Sequence, residues 1–189
     1  MADQLYLSYW LRGFTEFNML RYLGSVLRLF PFSRLAPGAM LRVLAVSPTE
    51  PALLEQDFPD PIDEDALLAA ARHFRAADAA FQVDGRWDIW QNLADDWKLA
   101  PARVSVFAFG PRFERERDEQ LRIDFGPDYH FLPQAQDPAS PRFIHSNIRS
   151  LLSLVHGLDN ALSPERRQLW SESGENFAER LQASLQQIG

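Results

Sequence analysis

The sequence predicts an α+β fold, with a mixed or antiparallel sheet of about five strands and helices mainly on one face. Three observations support this fold class. Apolar and polar residues alternate over 5–12 and 103–109, which is typical of half-buried strands. Apolar residues recur at helical spacing after Ser140. Glycine and proline residues separate the segments. A ferredoxin-like core with additions is the leading topology.

The N-terminal third predicts a strand, a helix and a second strand. The first strand, at 5–12, ends at Gly13, and Thr15 is the expected N-cap of the helix, which ends at Pro31. Residues 40–46 are almost continuously apolar, as in a strand covered on both faces. We therefore expect a βαβ unit, with a right-handed crossover if both strands share a sheet. The apolar stripe of the helix consists of Phe17, Leu20, Leu23, Leu27 and Phe30.

The middle of the chain contains turn signals. Residues 47–65 are rich in proline and acidic residues and predict a surface loop or insertion, with Asp60 or Asp63 capping the following helix. The dipeptide Asp84-Gly85 is typical of a two-residue hairpin turn, and a bulge within one strand is the alternative.

The second half predicts a hairpin followed by helices. Residues 103–109 and 121–125 alternate on either side of a charged turn, which indicates an antiparallel pair. Ser140 and the proline after it open the longest helix. Ser163-Pro164 predicts a short helix, and 175–188 predicts a last amphipathic helix. The stripe of the longest helix consists of Ile144, Ile148, Leu151, Val155, Leu158 and Leu162.

Composition limits the classes of function. The 189 residues predict one domain, 1–189, and 46% of them are hydrophobic. A net charge of −7 with scattered arginines argues against nucleic-acid binding. The absence of cysteine excludes thiolate nucleophiles and disulfides. No stretch predicts a signal peptide or a membrane span, so we expect a soluble, cytoplasmic protein, and the composition suggests a bacterial one.

No catalytic, metal-binding or phosphate-binding motif is present, so the sequence predicts no cofactor and no metal. His145 and His156 lie on one predicted helix, roughly 16 Å apart, which is too far to share a metal ion. We interpret them as histidines at the boundary of the core. The acidic residues of 57–65 lack the glycine of a calcium loop, so a helix-capping loop is the favoured interpretation.

Two groups of aromatic residues are the best candidate sites. Trp87 and Trp90 stand among charged residues, and Tyr129 and His130 follow the strand at 121–125. Large rings interleaved with polar groups are typical of interface hot spots and of small-molecule pockets. The alternative is that these rings fill the edges of a small core.

Three functions are compatible with these features. The first is a non-catalytic protein-interaction or regulatory module that would bind another protein through Trp87 and Trp90. The second is a small enzyme or small-molecule-binding protein with a pocket between sheet and helices. The third is self-association through the aromatic surface. The pocket of the second hypothesis would use Tyr129, His130, His145, Arg122 and Asp124.

Overall fold

The computed structural model describes residues 3–94, 96–132 and 140–172, together with Phe177, Glu179 and Leu181. Within this part of the chain, one antiparallel sheet has the strand order β3-β2-β4-β5-β6-β1-β7. The strands are β1 (Gln4–Trp10), β2 (Ala39–Ala45), β3 (Leu54–Phe58), β4 (Ala79–Leu93), β5 (Asp96–Phe109), β6 (Leu121–Pro127) and β7 (Arg166–Ser171). The helices are α1 (Met19–Leu29), α2 (Glu64–Arg72) and α3 (Ser140–Leu162), and a 3-10 turn spans Asp128–Phe131.

One antiparallel sheet with three helices is an α+β arrangement. The sheet has seven strands rather than about five, and a ferredoxin-like core is not confirmed. β1 and β2 do share a sheet, and the intervening antiparallel pairings make them parallel. β4, β5 and β6 lie between them, so the expected βαβ unit spans the sheet instead of joining neighbours. No helix in the described ranges is both long and apolar enough to cross a membrane.

The helices pack on one face of the sheet. A row of apolar residues crosses five strands there, and each of its members is at most 1% exposed. The row consists of Leu41, Val83, Val106, Ile123 and Leu7, in order across the sheet. Leu23 of α1 and Ile148 of α3 belong to the same hydrophobic cluster. All six predicted stripe residues of α3 are buried, which confirms the periodicity.

The start of α1 differs from the prediction. Asn18, not Thr15, occupies the N-cap position, and α1 begins at Met19. The amide N–H of Thr15 donates instead to Asn18 Oδ1 at 2.9 Å, so the two residues close a turn before the helix. Phe17 lies in that turn and is 71% exposed, although the helical stripe predicted it to be buried.

The dipeptide Asp84-Gly85 is not a hairpin turn, because it lies in the middle of β4. β4 and β5 form one long hairpin that pairs from Ala80↔Phe109 to Leu93↔Asp96. Gly85 is required by packing: a Cβ atom there would lie 2.7 Å from the Phe32 ring. A glycine signal that normally indicates a turn here records the close approach of an aromatic side chain.

Two further segments differ from the prediction. Residues 47–65 contain the edge strand β3, which pairs with β2. The expected cap at the end of this segment is confirmed, because the Asp63 carboxylate accepts from the Ala66 amide at 2.8 Å. After Ser163, which has φ 46°, the chain forms β7 and pairs with β1 instead of starting a helix. The helix predicted at 175–188 lies mostly outside the described residues.

Candidate functional site

Trp87 lies inside the core. Its side chain faces the helices and is 4% exposed, with its ring near those of Phe30, Phe125 and Phe131. A partner protein therefore cannot reach this ring in the folded state. The structure assigns Trp87 to stability, as the alternative interpretation of the aromatic groups expected.

Trp90, Tyr129 and His130 do come together, around a small cavity of about 60 Å³. Asn147 of α3 links the backbone segments around this cavity. Its Oδ1 accepts from the N–H of Trp90, and its Nδ2 donates to the C=O groups of Trp90 and His130, at 2.8–2.9 Å. Asn147 is 1% exposed, so these bonds are shielded from water. The cavity has room for one or two water molecules and is too small for a metabolite.

His130 is neutral in the folded protein. Burial lowers its pKa to about 4, because the charged imidazolium would lose its hydration. Its ring packs against that of Tyr129 at a centroid distance of 4.3 Å. His145 lies apart from this cavity, on a shallow groove along α3 that it lines together with His156. The five candidates of the pocket hypothesis therefore do not form one site.

The other two candidates, Arg122 and Asp124, lie on the face of the sheet opposite the helices, which we call the open face. Arg122 packs its guanidinium over Tyr6 and Phe107, at 5.5 and 4.8 Å from the ring centroids. It also contacts the buried carboxylate of Glu119 at 3.4 Å. These contacts hold the guanidinium of Arg122 against the rings and Glu119, outside the cavity beside His130.

The charged carboxylate of Asp124 is partly buried, which is energetically unfavourable. Burial raises the pKa of its carboxyl group, and the nearby Glu172 and Asp84 carboxylates act in the same direction. A hydrogen bond from the Gly126 amide and the charge of Arg122 oppose this effect. The raised pKa means that the folded environment disfavours the charged form of Asp124.

The strand register aligns polar side chains in a row across the open face. Directly opposed residues in an antiparallel sheet place their side chains on the same side, so the pairings define the row. From β3 to β7 it reads Asp57, Met40, Asp84, Ser105, Asp124, Tyr6 and Trp170. The row has two halves: the β6-β1-β7 half is filled by stacked side chains such as Tyr6 on Trp170, and the β2-β4-β5 half is not.

A groove of about 860 Å³ occupies the β2-β4-β5 half of the open face. We refer to it as the open-face groove. Residues of those three strands line it, together with 37–38 and 57–59. The segment before 37–38 is bonded to β4, because the Asp88 carboxylate accepts from the hydroxyl of Ser33 and from the amide of Arg34. The volume lies within the usual range of small-molecule sites.

Asp84 lies near the centre of the open-face groove. Its Oδ1 accepts hydrogen bonds from Gln82 Nε2 at 2.8 Å and from Ser105 Oγ at 2.6 Å. Its Oδ2 faces Arg42 Nε at 3.7 Å, which is too long for a hydrogen bond. Arg42 contacts Glu55 more closely, at 3.2 Å. Asp84 is therefore held in place through one oxygen, and its second oxygen keeps acceptor capacity.

Two arginines lie opposite each other in the same groove. Arg86 of β4 pairs directly with Arg103 of β5, two residues along from the Asp84↔Ser105 pair. Both side chains are exposed, and neither forms a salt bridge within the described residues. Sequence reasoning missed this pair because it took Asp84-Gly85 for a turn, which would have separated Arg86 from Arg103. The alternation of Gln82, Asp84 and Arg86 was the available signal.

The described part of the chain has no group of three His, Asp or Glu side chains placed to hold a metal ion. No protein-family model, curated protein or solved structure matches this chain.

Proposed function

We propose that this protein binds a small anionic ligand in the open-face groove, through Arg86 and Arg103. The observation that carries the proposal is the direct cross-strand pairing of two arginines that have no salt-bridge partner among the described residues. Like charges directly opposite in a sheet destabilise it, so this arrangement lowers the stability of the free protein. An anion placed between the two guanidinium groups would remove that repulsion.

The chemistry of the two side chains favours a carboxylate or phosphate group. Each guanidinium presents planar donors that match the oxygens of such anions in a bidentate manner. Beside the two arginines, Ser105 and Gln82 both donate to Asp84, which fixes this polar group in the open-face groove. A few convergent polar groups in a concave site are typical of small-molecule binding.

The first experiment is a titration of the protein with glutarate and with inorganic phosphate. Met40 lines the open-face groove, and Met19 is fully buried in the core. With ¹³C-methyl methionine labelling, we expect saturable shifts of the Met40 signal and an unchanged Met19 signal. Low ionic strength is needed because salt screens exposed charges.

Arginine variants test the assignment. We expect Arg86→Gln or Arg103→Gln to weaken anion binding about tenfold, because each removes a charge-assisted hydrogen bond. Arg112→Gln is the matched control, since Arg112 is exposed and lies outside the open-face groove. Equal losses in all three variants would show that only net charge matters, and would contradict the proposal.

A second candidate is self-association through the aromatic surface, for which the end of the β4-β5 hairpin is the best region. Leu93 and Leu99 are each 45% exposed there, beside the rings of Trp90 and Trp97 that pack on Phe143. Sedimentation velocity over a range of concentrations tests self-association through this surface. A mass that rises with concentration in the native protein, and not in Leu99→Asp, would support it; a constant monomer mass would exclude it.

A further inference from the structure

We infer that the ligand of the open-face groove is a zwitterion, with an ammonium group as well as the anionic group, and this inference rests on the proposed function. Its basis is the arrangement of charge in the groove. The paired arginines form one cross-strand row, and the acidic residues Asp57 and Asp84 lie in the next row. The groove therefore places the acidic row next to the arginine pair, with Arg42 on the far side of the acidic row.

The acidic row has capacity for a cation. Asp57 and Asp84 both lie opposite Met40, one on each side of it, so their carboxylates flank its side chain on the open face. Asp57 is exposed and forms no salt bridge among the described residues. Within the described ranges, Asp84 Oδ2 has one long contact, to Arg42 Nε at 3.7 Å. An ammonium group above Met40 would reach an acceptor on either side.

The spacing of the two rows sets the size of the ligand. Arg86 follows Asp84 by two residues on the same strand, which corresponds to roughly 7 Å. A ligand that satisfies both rows needs its ammonium and its carboxylate or phosphate separated by a short chain. The aliphatic part of Met40 offers an apolar contact for that chain. An ω-amino acid with a spacer of four methylene groups has the required form.

The test compares 5-aminopentanoate with two matched probes that each lack one charge, pentanoate and pentylamine. We expect 5-aminopentanoate to shift the Met40 methyl signal with an affinity at least tenfold higher than pentanoate. In Asp57→Asn, the affinity for 5-aminopentanoate should fall at least threefold, while that for pentanoate stays constant or rises. Among the described residues, the Asp57 side chain forms no salt bridge, so the fold should tolerate the substitution, and an unchanged Met19 signal verifies that the core is intact.

The outcomes separate the two proposals. Equal affinities for 5-aminopentanoate and pentanoate, both reduced by Arg86→Gln, would overturn the zwitterion and leave the anion site standing. Tighter binding of pentylamine than of pentanoate would overturn the zwitterion and the anion site, because binding would then depend on the acidic row and not on the arginine pair. Absence of any Met40 shift up to about 20 mM, a range that covers millimolar dissociation constants, would also overturn both.

Discussion

The two faces of the sheet are built on the same strands and have opposite properties. On the helix-covered face, the row from Leu41 to Leu7 is almost completely excluded from water. On the open face, the row from Asp57 to Trp170 carries carboxylates, a hydroxyl and aromatic rings. The alternation of side chains along each strand produces both rows at once. The covered face supplies most of the free energy of folding, whereas parts of the open face reduce it.

The two faces therefore differ in how substitutions should affect the free energy of unfolding. A variant on the covered face should lower stability, because it removes buried contacts. On the open face, a conservative substitution of a charged residue whose charge is unfavourable in the folded state should leave stability unchanged or raise it. Such a pattern is typical of functional sites, where stability is sacrificed for binding.

The largest expected effect is on the covered face, at Trp87. We expect Trp87→Ala to lower the free energy of unfolding by about 3–5 kcal/mol, because it leaves a cavity beside Phe30 and Phe125. Chemical denaturation measures this change. Phe17→Ala is the control, since Phe17 is 71% exposed and should change stability by less than about 1 kcal/mol. A loss at Trp87 no larger than the loss at Phe17 would contradict its place in the core.

The next effect is at Asn147. We expect Asn147→Ala to cost about 2–4 kcal/mol, because it leaves the carbonyls of Trp90 and His130 without their buried donor. Hydrogen exchange should then rise at the Trp90 amide, which has lost its bond to Asn147 Oδ1. Ser150→Ala is the comparison on the exposed side of α3, and it should alter neither stability nor exchange at Trp90.

A pH-dependent effect is expected at His130. Its pKa is about 4 in the folded protein and about 6.5 in an unfolded chain, so the unfolded chain binds a proton in this window and the folded protein does not. Stability should therefore fall as the pH is lowered from 6.5 to 4, by about 1–3 kcal/mol from this residue. His130→Phe should show a shallower decline of denaturation midpoint over the same window. An identical slope in both proteins would contradict the buried, neutral histidine.

The smallest effect is a gain, on the open face. We expect Asp124→Asn to raise stability at neutral pH by up to about 1 kcal/mol, because burial disfavours the charged carboxylate and the asparagine oxygen can still accept from Gly126. The gain should disappear below about pH 4, where the carboxyl group is protonated in both states. Asp57→Asn, at an exposed position, should show no such gain. A loss of stability in Asp124→Asn would remove the contrast between the two faces.

Local signals predicted the elements that local interactions determine. The apolar steps of α3, the alternation of β5 and β6 and the cap at Asp63 depend on neighbours a few residues away, and all three are confirmed. The secondary structure was predicted wrongly for segments whose structure depends on distant residues. Ser163-Pro164 has the chemistry of a helix start, yet the chain after it pairs with β1, far away in sequence.

The candidate site was harder to predict for the same reason. Asp84-Gly85 has the composition of a turn, but the glycine at 85 accommodates the ring of the distant Phe32. The wrong prediction of a turn hid the pairing of Arg86 with Arg103. Single residues such as Asp124 and Arg122 could be placed on the open side of a strand from alternation alone. Their neighbours across the sheet depend on register, which a single sequence does not specify.

The position of β1 has a consequence for how the chain is made. β1 lies between β6 and β7, so both of its edges are paired with strands that are synthesised more than 100 residues later. At roughly 5–20 residues per second, β1 is synthesised at least several seconds before β6, and β7 follows β6 some tens of residues later. During this interval an apolar strand has two free edges, which is the condition for pairing with another chain. Folding of this protein should therefore be most vulnerable to aggregation on the ribosome, before β7 emerges.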